Sequence, residues 1–196
     1  MIPTPVGIII TGNEVYHGLI EDRFAPILSQ KVTALGSETV ALDFAPDDAG
    51  MIAQRICAHL DRGCRLLLLS GGMSVDPDDV TRHAIRRAGA TELFYGSAVL
   101  PGAMFLIAYL GNIPLLGVPA CALHHPVTVL DLILPRILAG ERIGKKDLAL
   151  LGHGGLCRDC SECNYPSCAF WQRPLTKESL VRRSRHRLFN HPPIFL

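Results

Sequence analysis

Apolar residues follow two different periods along the first half of the chain. Short, largely apolar runs that are typical of β-strands cover residues 5–11, 38–46 and 64–72. Segments with a helical pattern or a helical cap cover residues 19–36, 47–63 and 79–89. Strands that alternate in this way with helices predict an α/β fold. We expect a three-layer sandwich, in which helices cover both faces of a mostly parallel sheet.

The next part of the chain is almost free of charge. From Leu93 to Leu130 no side chain carries a formal charge. The pattern predicts a strand within 91–102, a hairpin of two short strands within 104–119, and a long apolar helix over 122–140 that Pro135 should kink. Prolines and glycines interrupt this stretch, so no apolar run near ~20 residues survives. We therefore expect no membrane span.

Length and composition bound the organisation of the chain. The 196 residues, of which 48% are hydrophobic, fit one compact domain with an appendage. We divide the chain into a main domain (1–146), a cysteine-rich extension (147–170) and a basic tail (171–196) that is predicted to be disordered. The net charge of +1 gives no indication of nucleic acid or of a membrane surface. The start, MIPTPVGIII, lacks the features of a signal peptide, so we expect a cytoplasmic protein.

Polar or glycine-rich loops follow the first three predicted strands. They read TGNE (11–14), APDD (45–48) and SGGMSVDPDD (70–79). In parallel α/β sheets, ligands bind at the carboxyl ends of the strands. The three loops therefore predict a single ligand site.

The third of these loops carries the most suggestive chemistry. It contains two glycines, two serines and three aspartates, namely Gly71, Gly72, Ser70, Ser74, Asp76, Asp78 and Asp79. Glycines let backbone N–H groups approach an anion closely, and the serines add hydroxyl donors. The aspartates fit such a pocket if a divalent ion bridges carboxylate and phosphate oxygens, or if a carboxylate holds a polar ring system. Alternatively, one aspartate caps a helix and the others face water.

Four motifs together resemble a known family. TGNEVYHGLIEDRF, LLLLSGGMSVDPDDVT, VLPGA and IPLLGVPA occur in order and at suitable spacing. They resemble the molybdopterin-binding domain shared by MogA/MoaB-type and MoeA-type proteins of molybdenum cofactor biosynthesis. The resemblance covers about residues 4–140. The PDDVT segment is also close to a pattern found in CinA-type proteins.

The resemblance implies a site for the pterin and its terminal phosphate. Asp47 and Asp79 match two carboxylates that matter in active relatives, where Mg-ATP-dependent adenylation of the pterin phosphate or insertion of molybdate takes place. The resemblance, together with the chemistry of the third loop, assigns ligand binding to Thr11, Gly12, Glu14, Ser70, Gly71, Gly72, Ser74, Asp76, Pro101 and Gly102. Magnesium is the implied ion.

The chain departs from the family pattern at two places. Residues 71–74 read Gly-Gly-Met-Ser, where MogA-type proteins usually read Gly-Gly-Thr-Gly, and residues 118–122 read Val-Pro-Ala-Cys-Ala, where MoeA-type proteins usually carry Leu-Pro-Gly-Asn-Pro. Because the third glycine is absent, the loop backbone has less conformational freedom to wrap around a ligand. The departures put the catalysed step in doubt more than the binding of the pterin.

A cysteine cluster follows the main domain. Cys157, Cys160, Cys163 and Cys168 form a C-x2-C-x2-C-x4-C run. Thiolates at this spacing can wrap one tetrahedral zinc ion or one iron–sulfur cluster, and the sequence leaves both open. The remaining alternative is a reduced loop without a metal.

Three functions follow from these patterns. The first is a molybdopterin-binding protein of cofactor biosynthesis or delivery, with nucleotidyl transfer to the pterin phosphate as its chemistry if it is an enzyme. The second is a non-catalytic carrier whose cysteines sense metal or redox state and whose partner is a molybdoenzyme or a maturation factor. The third is a CinA-like hydrolase of a nucleotide diphosphate compound. We expect no nucleic-acid partner, and relatives suggest a homo-oligomer, a trimer in particular.

Overall fold

A computed structural model of the protein describes residues 2–71 and 80–172. The strands are β1 (Pro5–Thr11), β2 (Glu38–Ala45), β3 (Leu66–Ser70), β4 (Glu92–Tyr95), β5 (Leu106–Leu110) and β6 (Ile113–Val118). The α-helices are α1 (Asn13–Tyr16), α2 (Phe24–Ala34), α3 (Ala49–Asp61), α4 (Val80–Arg87), α5 (Val129–Leu138) and α6 (Lys145–Leu150). Three short 3-10 helices cover Ala120–Leu123, Leu151–Gly154 and Ala169–Trp171.

The strands form one six-stranded sheet in the order β2-β1-β3-β6-β5-β4. Strand β1 pairs in parallel with β2 and β3, and β3 pairs in parallel with β6. Strand β5 is antiparallel to both of its neighbours. The mostly parallel α/β sheet that the sequence predicts is therefore confirmed, and so is the hairpin, whose strands β5 and β6 meet at the Leu110–Ile113 pair.

Side chains of the central strands alternate between two apolar cores. In β1, Ile8 and Ile10 join one core and Ile9 joins the other. Every residue of β3 is buried, as expected for a strand covered on both faces. Helices α2 and α5 contribute to the first core, and α3 and α4 to the second. The predicted three layers are confirmed.

Helix α2 begins later than its apolar pattern predicts. The carboxylate of Asp22 accepts hydrogen bonds from the backbone N–H groups of Phe24, at 2.8 Å, and Ala25, at 3.0 Å. These bonds satisfy the first free N–H groups of the helix, so the chain turns there. Ile20, which the pattern places on the apolar face, is 57% exposed.

The long helix predicted over 122–140 is also shorter in the structure. Thr128 caps α5, and the carboxylate of Asp131 accepts a 2.7 Å hydrogen bond from the Thr128 backbone N–H in return. This capping box starts the helix after Pro126. The residues before it form a 3-10 helix and a turn instead.

The C-terminal segment packs on the main domain. Leu148, Leu151 and Phe170 are buried and belong to the same core as α2 and α5. Helix α6 extends across the predicted boundary at residue 146, and the division into domains stays a prediction. The basic tail lies outside the described residues from position 173 onward. Over residues 2–71 and 80–172, no helix is both long and apolar enough to cross a bilayer.

Candidate functional site

One edge of the sheet gathers the predicted ligand loops. Strands β1, β2, β3 and β6 run in the same direction, so their carboxyl ends lie at a common edge. Because β5 is antiparallel to both β4 and β6, β4 ends at this edge too. The segment 96–105, which joins β4 to β5 and contains Pro101 and Gly102, therefore lies at the same edge as the loops after β1, β2 and β3.

A reciprocal pair of hydrogen bonds holds the first two loops together. The Asn13 backbone N–H donates to the Asp47 carboxylate at 3.1 Å, and the Asp47 backbone N–H donates to the Asn13 side-chain oxygen at 3.1 Å. The Gly12 N–H also donates to the Ala45 carbonyl oxygen at 3.1 Å. Asp47 and Glu14 are both exposed. The structure thus brings predicted site residues of the first two loops into one surface.

The ends of β1 and β3 are equally tightly joined. The Thr11 hydroxyl donates to the Ser70 carbonyl oxygen at 3.1 Å, and the Thr81 hydroxyl donates to the Gly71 carbonyl oxygen at 3.1 Å. Gly71 has φ +97°, and a Cβ at this position would overlap the Thr11 carbonyl oxygen. Position 71 therefore requires glycine for its conformation and for its close approach to β1.

Ser70 places a buried hydroxyl group at the end of β3. Its side chain is fully buried, and its hydroxyl oxygen has no hydrogen-bond partner within the described residues. A buried hydroxyl without a partner costs free energy, which a hydrogen bond from or to a ligand would recover. Ser70 ends β3, so this group fits the predicted binding of a polar ligand at the edge.

The Pro101–Gly102 turn packs on the start of α5. The Val129 N–H donates to the Pro101 carbonyl oxygen at 3.2 Å, and the Ser97 hydroxyl donates to the Gly102 carbonyl oxygen at 3.2 Å. Gly102 is buried with φ +117°, and a Cβ there would lie 2.5 Å from Val129 Cγ1. The turn is therefore fixed by the fold at the edge where the sequence places it.

Four predicted site residues, Gly72, Ser74, Asp76 and Asp79, lie outside the described residues, and their roles stay predictions. On its two sides, Gly71 directly follows β3, and Val80 starts α4.

Two residues that contribute to the edge, Asn13 and Thr81, are not among the predicted site residues. Asn13 stands inside the TGNE motif, and asparagine is a frequent partner of backbone groups in turns. Thr81 belongs to the PDDVT segment, and its hydroxyl is bonded to Gly71. Only the pairing of distant segments reveals either role.

The four cysteines of the extension share one cavity. All of them line a cavity of about 100 Å³, together with apolar side chains that include Val127 and Phe170. Cys157 and Cys168 are half-buried against the main core, whereas Cys160 and Cys163 are exposed. Within residues 2–71 and 80–172, no three His, Cys, Asp or Glu side chains are grouped so as to hold one metal ion.

Backbone hydrogen bonds attach the cysteine segment to the turn at the sheet edge. The Leu100 N–H donates to the Gly155 carbonyl oxygen at 2.6 Å, and the Cys157 N–H donates to the Leu100 carbonyl oxygen at 2.7 Å. Leu100 immediately precedes Pro101. Tyr165, which also lines the cavity, donates its hydroxyl to the Asp131 carbonyl oxygen at 3.1 Å, and burial raises the pKa of its phenol.

A histidine–aspartate pair that the sequence does not predict lies away from this edge. His59 is fully buried on α3, with its Nε2 atom 2.9 Å from the Asp43 carboxylate. Its Nδ1 atom has no hydrogen-bond partner within the described residues, and it packs against Gly7, where a Cβ would overlap it. Burial lowers the pKa of His59, although the hydrogen bond to the Asp43 carboxylate acts in the opposite direction. This pair serves the packing of α3 on the sheet.

The fold and the loops at its edge define an α/β ligand-binding domain. A family model described as "Probable molybdopterin binding domain" matches residues 7–139. The chain belongs to this family, which serves molybdenum cofactor biosynthesis. The match ends before the cysteine segment.

Individual relatives cover the chain to different extents. A molybdopterin molybdenumtransferase of Synechococcus elongatus is 29% identical over 187 residues, which are 90% of this chain and 45% of that protein. A CinA-like protein of Thermosipho melanesiensis is 34% identical over 88 residues, which are 45% of this chain and 22% of that protein. The chain thus spans less than half the length of these two relatives. The crystal structure of the molybdopterin biosynthesis enzyme MoaB from Thermus thermophilus supports the fold, with a TM-score of 0.56, 20% identity, and coverage of 70% of this chain and 98% of that one.

Proposed function

We propose that the protein binds molybdopterin at the carboxyl edge of its sheet and acts in the biosynthesis or delivery of the molybdenum cofactor. The proposal rests mainly on one structural observation. The ends of β1, β2 and β3 meet at one edge through the Asn13–Asp47 bonds and the Thr11–Ser70 bond. The buried Ser70 hydroxyl stands there without a partner among the described residues.

The pterin phosphate is proposed to lie on the loop that follows β3. Gly71 keeps the backbone free of side-chain bulk where the loop leaves the sheet, and Gly72, Ser74 and the N-terminal end of α4 would complete the anion site. Asp47 would orient the pterin or a magnesium ion from the neighbouring loop. Pro101 and Gly102 would line the other side of the pocket.

If the protein is an enzyme, the reaction we propose is adenylyl transfer. An oxygen of the pterin phosphate attacks the α-phosphorus of ATP, the bond to the β-phosphate oxygen breaks, and pyrophosphate leaves. Magnesium, held by Asp79 with the phosphates, would neutralise the developing charge, and no protein nucleophile is needed. Insertion of molybdate is the alternative step, and it is the one that the printed name of the Synechococcus relative favours.

A single experiment separates binding from catalysis. The purified protein is titrated with molybdopterin under anaerobic conditions in a calorimeter, and pyrophosphate release is then followed after addition of Mg-ATP. The proposal expects binding in the first step and release in the second. Asp79→Ala should abolish pyrophosphate release and leave the fold intact, while Asp61→Ala, an exposed carboxylate at the far end of α3, should change neither.

The outcomes of this experiment are distinct. Binding without pyrophosphate release argues for molybdate insertion or for a carrier. Absence of binding in the calorimeter overturns the proposed function. Undiminished pyrophosphate release by Asp79→Ala removes that residue from the mechanism.

A carrier that responds to metal or redox state is the second candidate. The observation that favours it is the pair of hydrogen bonds between Leu100 and the cysteine segment, next to the Pro101–Gly102 turn. Here we propose that the four cysteines hold a metal, either zinc or an iron–sulfur cluster, and that a molybdoenzyme or a maturation factor is the partner. Equal molybdopterin affinity of the metal-free and metal-loaded protein would argue against this coupling. Independently of this candidate, we propose that the protein assembles into a homo-oligomer, a trimer in particular.

The CinA-like hydrolase is a third candidate, and it rests on the similarity over 88 residues to the Thermosipho protein. It differs from the first two in needing no pterin. Hydrolysis of a nucleotide diphosphate compound by protein that does not bind molybdopterin would favour it.

A further inference from the structure

An arginine that belongs to none of the predicted ligand loops lies at the same edge of the sheet. The guanidinium carbon of Arg82 lies over the ring of Tyr95, 4.5 Å from its centroid. Tyr95 is the last residue of β4, which ends at the carboxyl edge, and it packs against the second core. Arg82 itself is half-buried. The contact with the ring therefore places a positive charge at the β4 side of the edge.

The start of α4 holds the backbone of Arg82 close to the end of β3. The preceding residue, Thr81, is fully buried, and its hydroxyl donates to the Gly71 carbonyl oxygen at 3.1 Å. In the sheet, β6 and β5 lie between β3 and β4. The side chain of Arg82 therefore extends from a helix start that is attached to β3 towards the ring at the end of β4. Its position is set from both sides.

The stability of α4 does not explain a basic side chain at position 82. The first turn of a helix carries a partial positive charge, so arginine is unfavourable there and favourable in the last turn. Arg86 and Arg87 occupy the last turn of α4, whereas the first turn contains no acidic residue. Arg82 thus adds to the positive potential at the start of the helix. This combination favours an anionic ligand.

The contact with Tyr95 also suits the recognition of phosphate. A cation over the face of an aromatic ring is attracted by the ring electrons, and this attraction restricts the long side chain of Arg82. The N–H groups of a guanidinium point outward in its plane, where they match two oxygens of a phosphate. A contact through the face of the guanidinium does not itself use these donors.

We infer that Arg82, positioned by Tyr95, binds the β- and γ-phosphates of a nucleoside triphosphate at this edge. The inference rests on the adenylyl transfer given above as the proposed reaction. In that reaction the attacking and leaving oxygens are roughly in line at the α-phosphorus, so pyrophosphate leaves on the side away from the pterin phosphate. The electron pair of the broken P–O bond goes to pyrophosphate, and Arg82 neutralises part of its charge.

The charges along the edge favour this direction. On the side of β1 and β2, the carboxylates of Glu14 and Asp47 are exposed, and they repel the negative phosphates of a nucleotide. On the side of β4, Arg82 attracts them. Since β3 lies between these two sides in the sheet, the pterin and the β- and γ-phosphates would occupy opposite halves of the edge. The loop that follows β3 would lie between them.

The test is calorimetric titration of the full chain with magnesium and α,β-methylene-ATP, an analogue that cannot be cleaved between its α- and β-phosphates. Because charge-assisted hydrogen bonds to phosphate are lost, we expect R82Q to bind the analogue about 10–100-fold more weakly than the natural chain. AMP lacks the β- and γ-phosphates, so its affinity should be the same for both proteins. R86Q changes an exposed arginine in the last turn of the same helix and is the matched control, with unchanged affinity for the analogue.

A second variant, R82K, provides a test that does not depend on the folding of R82Q. Lysine keeps the charge but lacks the planar fork of donors, so R82K should bind the analogue more weakly than the natural chain and more tightly than R82Q. A folded R82K with the affinity of the natural chain would contradict the role given to the guanidinium.

The other outcomes are equally distinct. Equal affinity of R82Q and the natural chain for the analogue overturns the inference. An equal loss of affinity for AMP and for the analogue overturns it too, because it indicates a structural role for Arg82. Absence of analogue binding by the natural chain has the same consequence. These titrations contain no molybdopterin, so the proposed binding of the pterin stands or fails in its own experiment.

Discussion

Replacing Gly71 with alanine tests whether the joined ends of β1 and β3 form a wall of the ligand site. The new Cβ would overlap the Thr11 carbonyl oxygen and lie 2.7 Å from Thr11 Oγ1, whereas ordinary contacts begin at 3.4 Å. The Thr11 hydroxyl must therefore move by about 0.7 Å, and the carbonyl must move as well. This shift would disturb the 3.1 Å bond from Thr11 to the Ser70 carbonyl oxygen.

The loss in the free energy of unfolding has two parts, which a control variant separates. Gly71 has φ +97° and Gly63 has φ +87°, so alanine at either position is strained by about 1–2 kcal/mol. A Cβ at Gly63 meets nothing within 4 Å, so G63A measures the backbone cost alone. The overlap at Gly71 adds about 1–3 kcal/mol, as is usual for an overpacked site. We expect the free energy of unfolding of G71A to fall by about 2–5 kcal/mol in total.

Urea denaturation of both variants measures the difference in their free energies of unfolding. Calorimetric titration with molybdopterin, under conditions where both variants are folded, measures the effect of each substitution on binding. We expect G71A to be the less stable variant, and we expect only G71A to bind molybdopterin more weakly than the natural chain. Equal stability of the two variants would refute the packing argument. Unchanged affinity in a destabilised G71A protein would refute the placement of the ligand against this wall.

Two further predictions concern the buried histidine and the cysteine segment. Burial lowers the pKa of His59 in the folded chain. At pH values between the ordinary histidine pKa of about 6.5 and this lowered pKa, the unfolded chain therefore binds a proton that the folded chain does not. The free energy of unfolding should therefore fall as the pH decreases below about 6.5, by at most about 1.4 kcal/mol per pH unit from this group. H59Q should remove that contribution in urea titrations at several pH values, and an unchanged slope would contradict the assignment. In G155A the new Cβ would overlap the Ala98 carbonyl oxygen, so amide hydrogen exchange of Leu100 should accelerate. In the control G144A, where nothing lies within 4 Å, it should not, and equal exchange in the two variants would mean that the segment is not held there.

Residue patterns predict the sheet well because burial on two faces leaves a strong signal. The uninterrupted leucines of β3 and the Gly111–Asn112 turn of the hairpin specify their elements locally. Helix starts are harder to predict. Ile20 continues the apolar pattern of α2, yet the hydrogen bonds that the Asp22 carboxylate accepts from Phe24 and Ala25 decide where the helix begins.

The candidate site could be predicted only as a set of loops. The rule that ligands bind at the carboxyl ends of strands brings the loops of Thr11, Asp47 and Ser70 to one edge. The contacts within the edge are long-range. Asn13 and Asp47 are 34 residues apart, so their hydrogen bonds are not part of a local motif. The attachment of the cysteine segment to Leu100 depends likewise on tertiary packing, which spacing alone does not encode.

The central claim is that the carboxyl edge of the sheet binds molybdopterin. The most direct measurement is anaerobic calorimetric titration of the full chain with molybdopterin, repeated with D47A, which removes an exposed carboxylate and its bond to the Asn13 N–H. We expect saturable binding by the natural chain and clearly weaker binding by D47A, with D61A unchanged. Absence of binding by the natural chain, or equal binding by D47A and the natural chain, would contradict it.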